Sequence, residues 1–304
     1  MLRPPRRFVQ RRWLQQRPLL LTVGVGGLCC LAALGWLSRS IGDASPAVSN
    51  PSLFQFLRDG VGARTIAQDS PKTSSRRAPP PPPAAPWRSP LQRQCSSSDP
   101  ELTSRMERLS AALPQRTFHL STDPSNYGER FNLDAFGQPV DPTPQLIVLH
   151  ETVYGLNSAI NTFVTPHPRD EDQVSYHTLV GLQGQVVQVL DPGRRAFGSG
   201  NSAFNGHWVI TNPRINGSVN NFALHLSLET PLDGENDEAT HSGYTAAQLD
   251  AAAVVLADWM KRFSIPPQQI TTHRAVDLGG ERLDPRSFDW MALQERLAAL
   301  GRLC

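Results

Sequence analysis

The sequence has little net charge and few cysteines, and both shortages exclude familiar classes of protein. Its 304 residues carry 29 Lys and Arg against 27 Asp and Glu, so the formal net charge is only +2. The second half has no basic patch interleaved with aromatic residues, the pattern typical of nucleic-acid-binding proteins. The four cysteines form no CxxC pair and no zinc-finger spacing. We therefore expect neither a nucleic-acid partner nor a zinc finger.

The 27 prolines cluster in the first half of the chain, which we do not expect to fold as one core. Residues 1–17 contain six arginines and no acid, and residues 18–37 are an uncharged, apolar run. A run of about 20 such residues spans a bilayer, so we predict a basic cytoplasmic tail followed by a transmembrane anchor. Residues 38–100, rich in Pro, Ser and Ala, are predicted to be a disordered linker.

The positive-inside rule places the remainder, residues 101–304, outside the cytoplasm. Cys95 and Cys304 bracket this part of the chain. Thiols outside the cytoplasm tend to oxidise, so we expect the two cysteines to form a disulfide bond.

Residues 101–304 alternate between strand-like and helix-like segments. Strands are predicted at 145–152 (QLIVLHET), 220–230 (NNFALHLSLET) and 268–276 (QQITTHRAV), with a hairpin at 174–190 that turns near Gln183-Gly184. Helices are predicted at 156–165, 245–265 and 288–300, and a further helix begins near Asp99 or Pro100. Strands interleaved with helices predict an α/β or α+β domain, with a mixed central sheet flanked by helices.

Three polar residues stand at or after the ends of these strand-like runs. His150 ends the first run, His273 lies at the end of another, and Asp284 follows in RLDPRSFDW. Two imidazoles and a carboxylate are the ligand set of an open catalytic zinc site, in which the pKa of a fourth ligand, water, falls to about 7. The alternative interpretation is two core histidines and an N-cap aspartate before Pro285.

These segments, in this order, resemble the zinc-dependent N-acetylmuramoyl-L-alanine amidases, the type-2 amidase family related to peptidoglycan recognition proteins and phage amidase lysozymes. The motifs that carry the resemblance span residues 146–290: LIVLHET, VSYHTLVGLQGQVVQVL, NNFALHLSLE, a helix, TTHRAVD and RLDPRSFDW. The resemblance implies a Zn²⁺ cofactor in a surface groove. It also implies hydrolysis of the peptidoglycan amide that joins the lactyl group of N-acetylmuramic acid to L-alanine of the stem peptide.

The resemblance has consequences for partners and location. It implies that the protein binds peptidoglycan or muropeptides. The predicted N-terminal anchor makes the membrane a second partner. We therefore expect a single-pass protein of the bacterial inner membrane with a periplasmic catalytic domain, or a secreted protein if the N-terminal segment is cleaved after Ala44.

The resemblance also implies roles for individual residues. His150, His273 and Asp284 match the zinc ligands of the family. Tyr176 matches a tyrosine that supports catalysis in one branch, by a hydrogen bond to the water or the oxyanion. Arg282 occupies a position that usually holds lysine or arginine, and we expect it to steady the oxyanion.

Some positions depart from the family, and they leave the general base open. Where one branch has a catalytic glutamate, this chain has Ser227, so Glu229 two residues later and Glu151 beside His150 are the candidates. Gly198 stands where many members have a histidine. A non-catalytic peptidoglycan-binding module is the alternative function, but the complete ligand set favours an enzyme. Five further histidines are interpreted as surface or packing residues: His119, His167, His207, His225 and His241.

Overall fold

The computed structural model of the protein describes residues 77–304. The predicted basic tail, the transmembrane anchor and the first part of the linker, residues 1–76, lie outside the described residues. Within residues 77–304, no helix has both the length and the apolar character needed to cross a membrane.

A mixed sheet of six strands forms the centre of the fold. Its strands are β1 (Thr117–His119), β3 (Leu146–Glu151), β4 (Thr178–Val180), β5 (Val186–Gln188), β7 (Ala223–Leu228) and β8 (Ile270–Thr272), arranged in the order β1-β5-β4-β7-β3-β8. The neighbours β4, β7, β3 and β8 run parallel, whereas β5 is antiparallel to β4. The carboxyl ends of the four parallel strands therefore meet at one edge. Two further strands, β2 (Tyr127–Gly128) and β6 (Arg195–Ala196), form a separate ladder.

Helices cover both faces of this sheet, as the sequence predicted. The helices are α1 (Pro100–Arg116), α2 (Leu156–Val164), α3 (Ala246–Phe263), the single turn α4 (His273–Val276) and α5 (Trp290–Ala299). Three of them, α1, α3 and α5, share one apolar cluster with Leu149 and Leu226 of the sheet. On the other face, Phe163 of α2 packs with Leu179 and Val187. The arrangement confirms a mixed α/β fold with three layers.

Polar contacts fix the three helices of the first layer against one another. Asp250 of α3 is buried and binds Arg105 of α1 at 2.9 Å and Arg296 of α5 at 2.7 Å. The ends of the helices are also capped, because Asp99 accepts backbone hydrogen bonds at the start of α1 and Thr245 forms a capping box at the start of α3. The predicted starts of both helices are therefore confirmed.

The segment before α1 lies against the domain rather than apart from it. Cys95 is disulfide-bonded to Cys304, which confirms the predicted pair. Further back, Leu91 is buried, and the backbone N–H of Trp87 donates to Asn205 Oδ1 at 2.8 Å. Residues 77–99 of the predicted linker thus pack with the domain, because Trp87 and Leu91 supply apolar anchors within a proline-rich stretch.

The predicted strand at 268–276 is shorter than expected. It ends at Thr272, whose side chain accepts a hydrogen bond from Ala275 N and so begins the turn α4. His273 is consequently the first residue of a helical turn instead of the last residue of a strand. The hairpin at 174–190 is confirmed, with Gly184 at a φ of +76° in its turn, a conformation that favours glycine.

Candidate active site

Three candidate metal ligands converge at the carboxyl edge of the sheet. His150 comes from β3, His273 from the start of α4, and Asp284 from the loop before α5. Their ligand atoms all lie within 4.8 Å of one another. Asp284 bridges the two imidazoles, with Oδ2 3.2 Å from His150 Nδ1 and Oδ1 3.1 Å from His273 Nδ1. The structure thus brings together the three residues that the sequence singled out.

The electrostatics of this cluster suit the binding of a cation. Burial lowers the pKa of His150 to about 4, so this imidazole is neutral at pH 7. Burial also acts to raise the pKa of Asp284, but the hydrogen bonds to His150 and His273 outweigh it and lower that pKa below its usual range. A neutral imidazole and an ionised carboxylate are the protonation states that metal coordination requires.

The donor set fits zinc. Two imidazole nitrogens and a carboxylate oxygen match the ligand types of catalytic zinc sites, which use three protein ligands and leave a fourth position open. Two of the three residues also border open space, since His273 and Asp284 line a groove of about 920 Å³, whereas His150 is fully buried behind them. A ligand can therefore reach the cluster from solvent.

Groups of both charges line this groove. Tyr176 and Arg282 lie on its walls together with the candidate ligands His273 and Asp284, and Phe197, Gly198 and Ser199 form another part of the surface. Besides Asp284, the lining contains eight carboxylates: Glu151, Asp170, Glu171, Asp172, Asp237, Glu238, Asp277 and Glu281.

Tyr176 lies against the metal-ligand candidate His150. The two rings stack with their centroids 4.3 Å apart, and the ring of Phe163 packs perpendicular to that of Tyr176 at 5.4 Å. Burial raises the pKa of the Tyr176 hydroxyl far above its usual value, Asp284 and Glu151 raise it further, and Arg282 opposes them. The hydroxyl therefore keeps its proton at neutral pH and is a hydrogen-bond donor. His177, the next residue, is fully buried.

Glu151 follows His150 in the sequence but lies on the opposite face of β3, where it borders the groove. Successive side chains of a strand face opposite sides, and on this side Glu151 meets Arg286 and Tyr244. Its carboxylate accepts hydrogen bonds from Arg286 Nε, from the Arg286 backbone N–H and from the Tyr244 hydroxyl. A fourth contact joins it to His241 Nε2 at 3.0 Å. Glu151 thus fixes the segment that carries Asp284.

The second candidate base, Glu229, is also engaged by the protein. Its Oε1 accepts a hydrogen bond from Leu156 N at 2.7 Å, and its Oε2 accepts one from Leu182 N at 2.8 Å. These bonds cap the start of α2 and hold the turn between β4 and β5. Glu229 does not line the groove, and Ser227 is buried directly opposite His150 in the β3–β7 register.

Two histidines that the sequence suggested to be surface or packing residues take part in this network. His225 is fully buried and places Nδ1 2.9 Å from His150 Nε2, and His241 contacts Glu151. The sequence contained a sign that His225 faces the site. It lies two residues before Ser227, which occupies the position of a catalytic glutamate in one branch of the family, and residues two apart share a strand face. No comparable signal marks His241, which lies outside regular secondary structure.

A comparison with known protein families covers the residues of this site. The sequence model of the N-acetylmuramoyl-L-alanine amidase family matches residues 140–287, a segment that contains all three candidate ligands. No curated protein matches the chain. Among solved structures, it is similar to a selenomethionine derivative of AmpD, with 22% identity over 59% of this chain and 92% of that chain and a TM-score of 0.43.

Two further similar structures contain bound muropeptides. The first is AmiD from E. coli, an N-acetylmuramyl-L-alanine amidase in complex with anhydro-N-acetylmuramic acid-L-Ala-D-γ-Glu-L-Lys, with 19% identity over 53% of this chain and 61% of that chain and a TM-score of 0.37. The second is AmpDh3 from Pseudomonas aeruginosa in complex with an anhydromuramic pentapeptide, with 17% identity over 47% of this chain and 55% of that chain and a TM-score of 0.37. Residues 140–287 of this chain form a domain of the N-acetylmuramoyl-L-alanine amidase family, the type-2 amidases.

Proposed function

We propose that this domain is a zinc-dependent amidase that hydrolyses the bond between the lactyl group of N-acetylmuramic acid and L-alanine of peptidoglycan. The convergence of His150, His273 and Asp284 at an open groove carries the proposal. Membership of the amidase family supports peptidoglycan as the substrate. The complete ligand set favours an enzyme over a binding module, because a module that only binds needs no metal with an open position.

A zinc ion held by His150, His273 and Asp284 supplies a Lewis acid for the scissile carbonyl and lowers the pKa of water. The chain itself supplies the hydrogen-bond donors. Tyr176 lines the groove with a hydroxyl that stays protonated, so we assign it a hydrogen bond to the oxygen that gains negative charge in the transition state. Arg282 lies on the same groove with an exposed side chain and offers a positive charge to that oxygen.

We assign structural roles to the two candidate glutamates. Glu151 is held by Arg286 and Tyr244, and Glu229 is held by two backbone N–H groups. A general base must lie within hydrogen-bond reach of the proton that it removes. Glu229 does not line the groove, and Glu151, which does, has both carboxylate oxygens engaged by the protein. Charge stabilisation by Tyr176 and Arg282 is therefore the main contribution that we assign to side chains other than the ligands.

The proposed reaction has a specific product. Incubating the purified chain with peptidoglycan should release stem peptides with a free N-terminal L-alanine, detectable by mass spectrometry after amine labelling. Binding to peptidoglycan without any released peptide would favour the alternative, a non-catalytic binding module. New reducing sugar ends without free L-alanine would show that a different bond is cut.

We also propose that residues 18–37 anchor the protein in the inner membrane and hold the domain in the periplasm. The uncharged length of this run and the arginines before it support the proposal. The disulfide bond between Cys95 and Cys304 also supports it, since such bonds persist in oxidising compartments. A reporter enzyme that works only outside the cytoplasm, fused after Cys304, should be active. Activity of a cytoplasm-specific reporter at the same position would contradict the topology.

A further inference from the structure

His225 lies directly behind the metal-ligand candidate His150. The two residues stand on neighbouring strands, β7 and β3, and their side chains share the face that points to the metal cluster. His225 is fully buried, and its Nδ1 lies 2.9 Å from His150 Nε2. The opposite nitrogen of His150, Nδ1, lies 3.2 Å from Asp284. His150 thus has the metal cluster on one side and His225 on the other.

The neighbours of the His225 ring hold it in place. The backbone N–H of His225 donates to His177 Nδ1 at 3.0 Å, and the two rings are parallel to within 4°. Gly198 completes the enclosure, because a Cβ atom at this position would lie 2.5 Å from His225 Nδ1. The absence of a side chain at position 198, where many family members have a histidine, therefore makes room for the ring of His225.

Packing alone does not explain a histidine at this position. The Nε2 atom of His225 is buried and has no hydrogen-bond partner among residues 77–304. An unpaired buried polar atom destabilises a protein, and a leucine would fill similar space without that cost. The polar contact that the side chain of His225 does form is the one between its Nδ1 and His150 Nε2.

We propose that His225 is a positioning residue that orients His150 for metal binding. A neutral imidazole has one N–H and one lone pair, so a metal ion on His150 Nδ1 requires the proton to be on Nε2. His225 Nδ1 accepts that proton in a hydrogen bond and fixes both the tautomer and the ring orientation. The proposal rests on the proposed function, because it takes zinc as the ion that His150 holds.

The first test measures zinc affinity by competition with a chelating dye. His225→Leu keeps the volume and removes the acceptor, so it should weaken zinc binding by about 10- to 100-fold, the usual effect of losing such a partner. His225→Asn places an oxygen near the position of Nδ1 and should restore most of this affinity. His207→Asn, at an exposed histidine, is the matched control and should leave the affinity unchanged. Unchanged affinity in His225→Leu, or equal losses in the Leu and Asn variants, would overturn the proposal.

A second measurement needs no substitution and so does not depend on the folding of variants. Nitrogen-15 spectra of the zinc-loaded, full-length chain should show His150 protonated at Nε2 and His225 protonated at Nε2 but not at Nδ1. A proton on His225 Nδ1 would overturn the proposal.

The contact with Gly198 gives a third test. Gly198→Ala should weaken zinc binding in the native chain, where the new Cβ meets the His225 ring, but not in a chain that already carries His225→Ala. An equal loss of zinc affinity in both chains would show that Gly198 does not act through His225 and would overturn the proposal. These measurements use no peptidoglycan and therefore test metal binding separately from the proposed reaction. A chain that binds zinc in the expected pattern but cleaves nothing would contradict the proposed reaction alone, whereas a chain that binds no zinc would overturn both.

Discussion

The Glu151 carboxylate forms a buried ion pair with Arg286, although Glu151 directly follows the metal-ligand candidate His150 in β3. Arg286 in turn lies two residues after Asp284, and its guanidinium also donates to the carbonyl groups of Gly234, Asn236 and Glu238. The ion pair therefore joins the strand of the first ligand to the loop of the third. Its expected role is to hold the site together, not to move a proton.

Replacing Glu151 should therefore reduce stability rather than turnover. Glu151→Gln leaves the buried Arg286 charge without its partner, and we expect the free energy of unfolding to fall by roughly 3 kcal/mol, as for other broken buried pairs. Urea denaturation measures this change, and the turnover of the folded fraction should stay close to that of the native chain. Glu229→Gln provides the comparison for stability, because the partners of Glu229 are two neutral backbone N–H groups. If Glu151→Gln instead keeps native stability and bound zinc but loses turnover, Glu151 is the general base.

Tyr176→Phe should separate catalysis from metal binding. The substitution deletes one hydroxyl and keeps the ring stacked on His150, so zinc should stay bound in stoichiometric amount. Turnover should fall by about 10²-fold if the hydroxyl acts mainly on the transition state. Tyr154→Phe, at an exposed tyrosine, is the control. If Tyr176→Phe retains full activity, the assignment of the hydroxyl is wrong.

Removing any one of the three proposed ligands should release the metal. His150→Ala, His273→Ala and Asp284→Ala each leave two protein ligands, too few for a stable zinc site. Metal analysis after dialysis should find far less than one zinc per chain in each variant, and activity should be lost with the metal. His207→Ala is the control. Stoichiometric zinc in one of the three variants would remove that residue from the ligand set.

Acid should destabilise the zinc-free chain through His177. Burial lowers the pKa of His177 to about 3, against about 6.5 in an unfolded chain. The folded state therefore binds fewer protons below pH 6.5, and stability falls as the pH drops, by about 2 kcal/mol from this group at pH 5. Urea denaturation at pH 7 and pH 5 measures the loss, which His177→Gln should reduce and His119→Gln should not. An equal pH dependence in both variants would contradict this role.

The disulfide bond should be a large part of the stability of the domain. Cys95 and Cys304 are 209 residues apart in sequence, and closing so long a loop contributes about 5 kcal/mol on the chain-entropy model. Replacing both cysteines with serine should lower the denaturation midpoint accordingly. Reduction of the native chain should give the same midpoint as the double variant, and an unchanged midpoint in either case would contradict the contribution.

Much of the fold follows from local sequence patterns. The strand at 145–152, the capped helix at 245–265 and the hairpin around Gly184 appear because apolar periodicity and turn residues act over short distances. The three candidate ligands could also be singled out from the sequence, because His150 ends a strand-like run and His273 and Asp284 lie in the later motifs TTHRAVD and RLDPRSFDW. The partner of Glu151 was harder to predict, because Arg286 lies 135 residues away in sequence. The contact between His225 and His150 likewise depends on the pairing of β7 with β3, which local patterns do not specify.

The dependence of peptide release on zinc tests the central claim most directly. The purified chain should release peptides with free N-terminal L-alanine from peptidoglycan, lose this activity when a chelator removes the metal, and regain it when one equivalent of zinc is added. Asp284→Asn, which changes one ligand atom and little of the shape, should fail to regain activity at the same zinc concentration. Undiminished release of L-alanine peptides from chelator-treated, zinc-free protein would contradict the account.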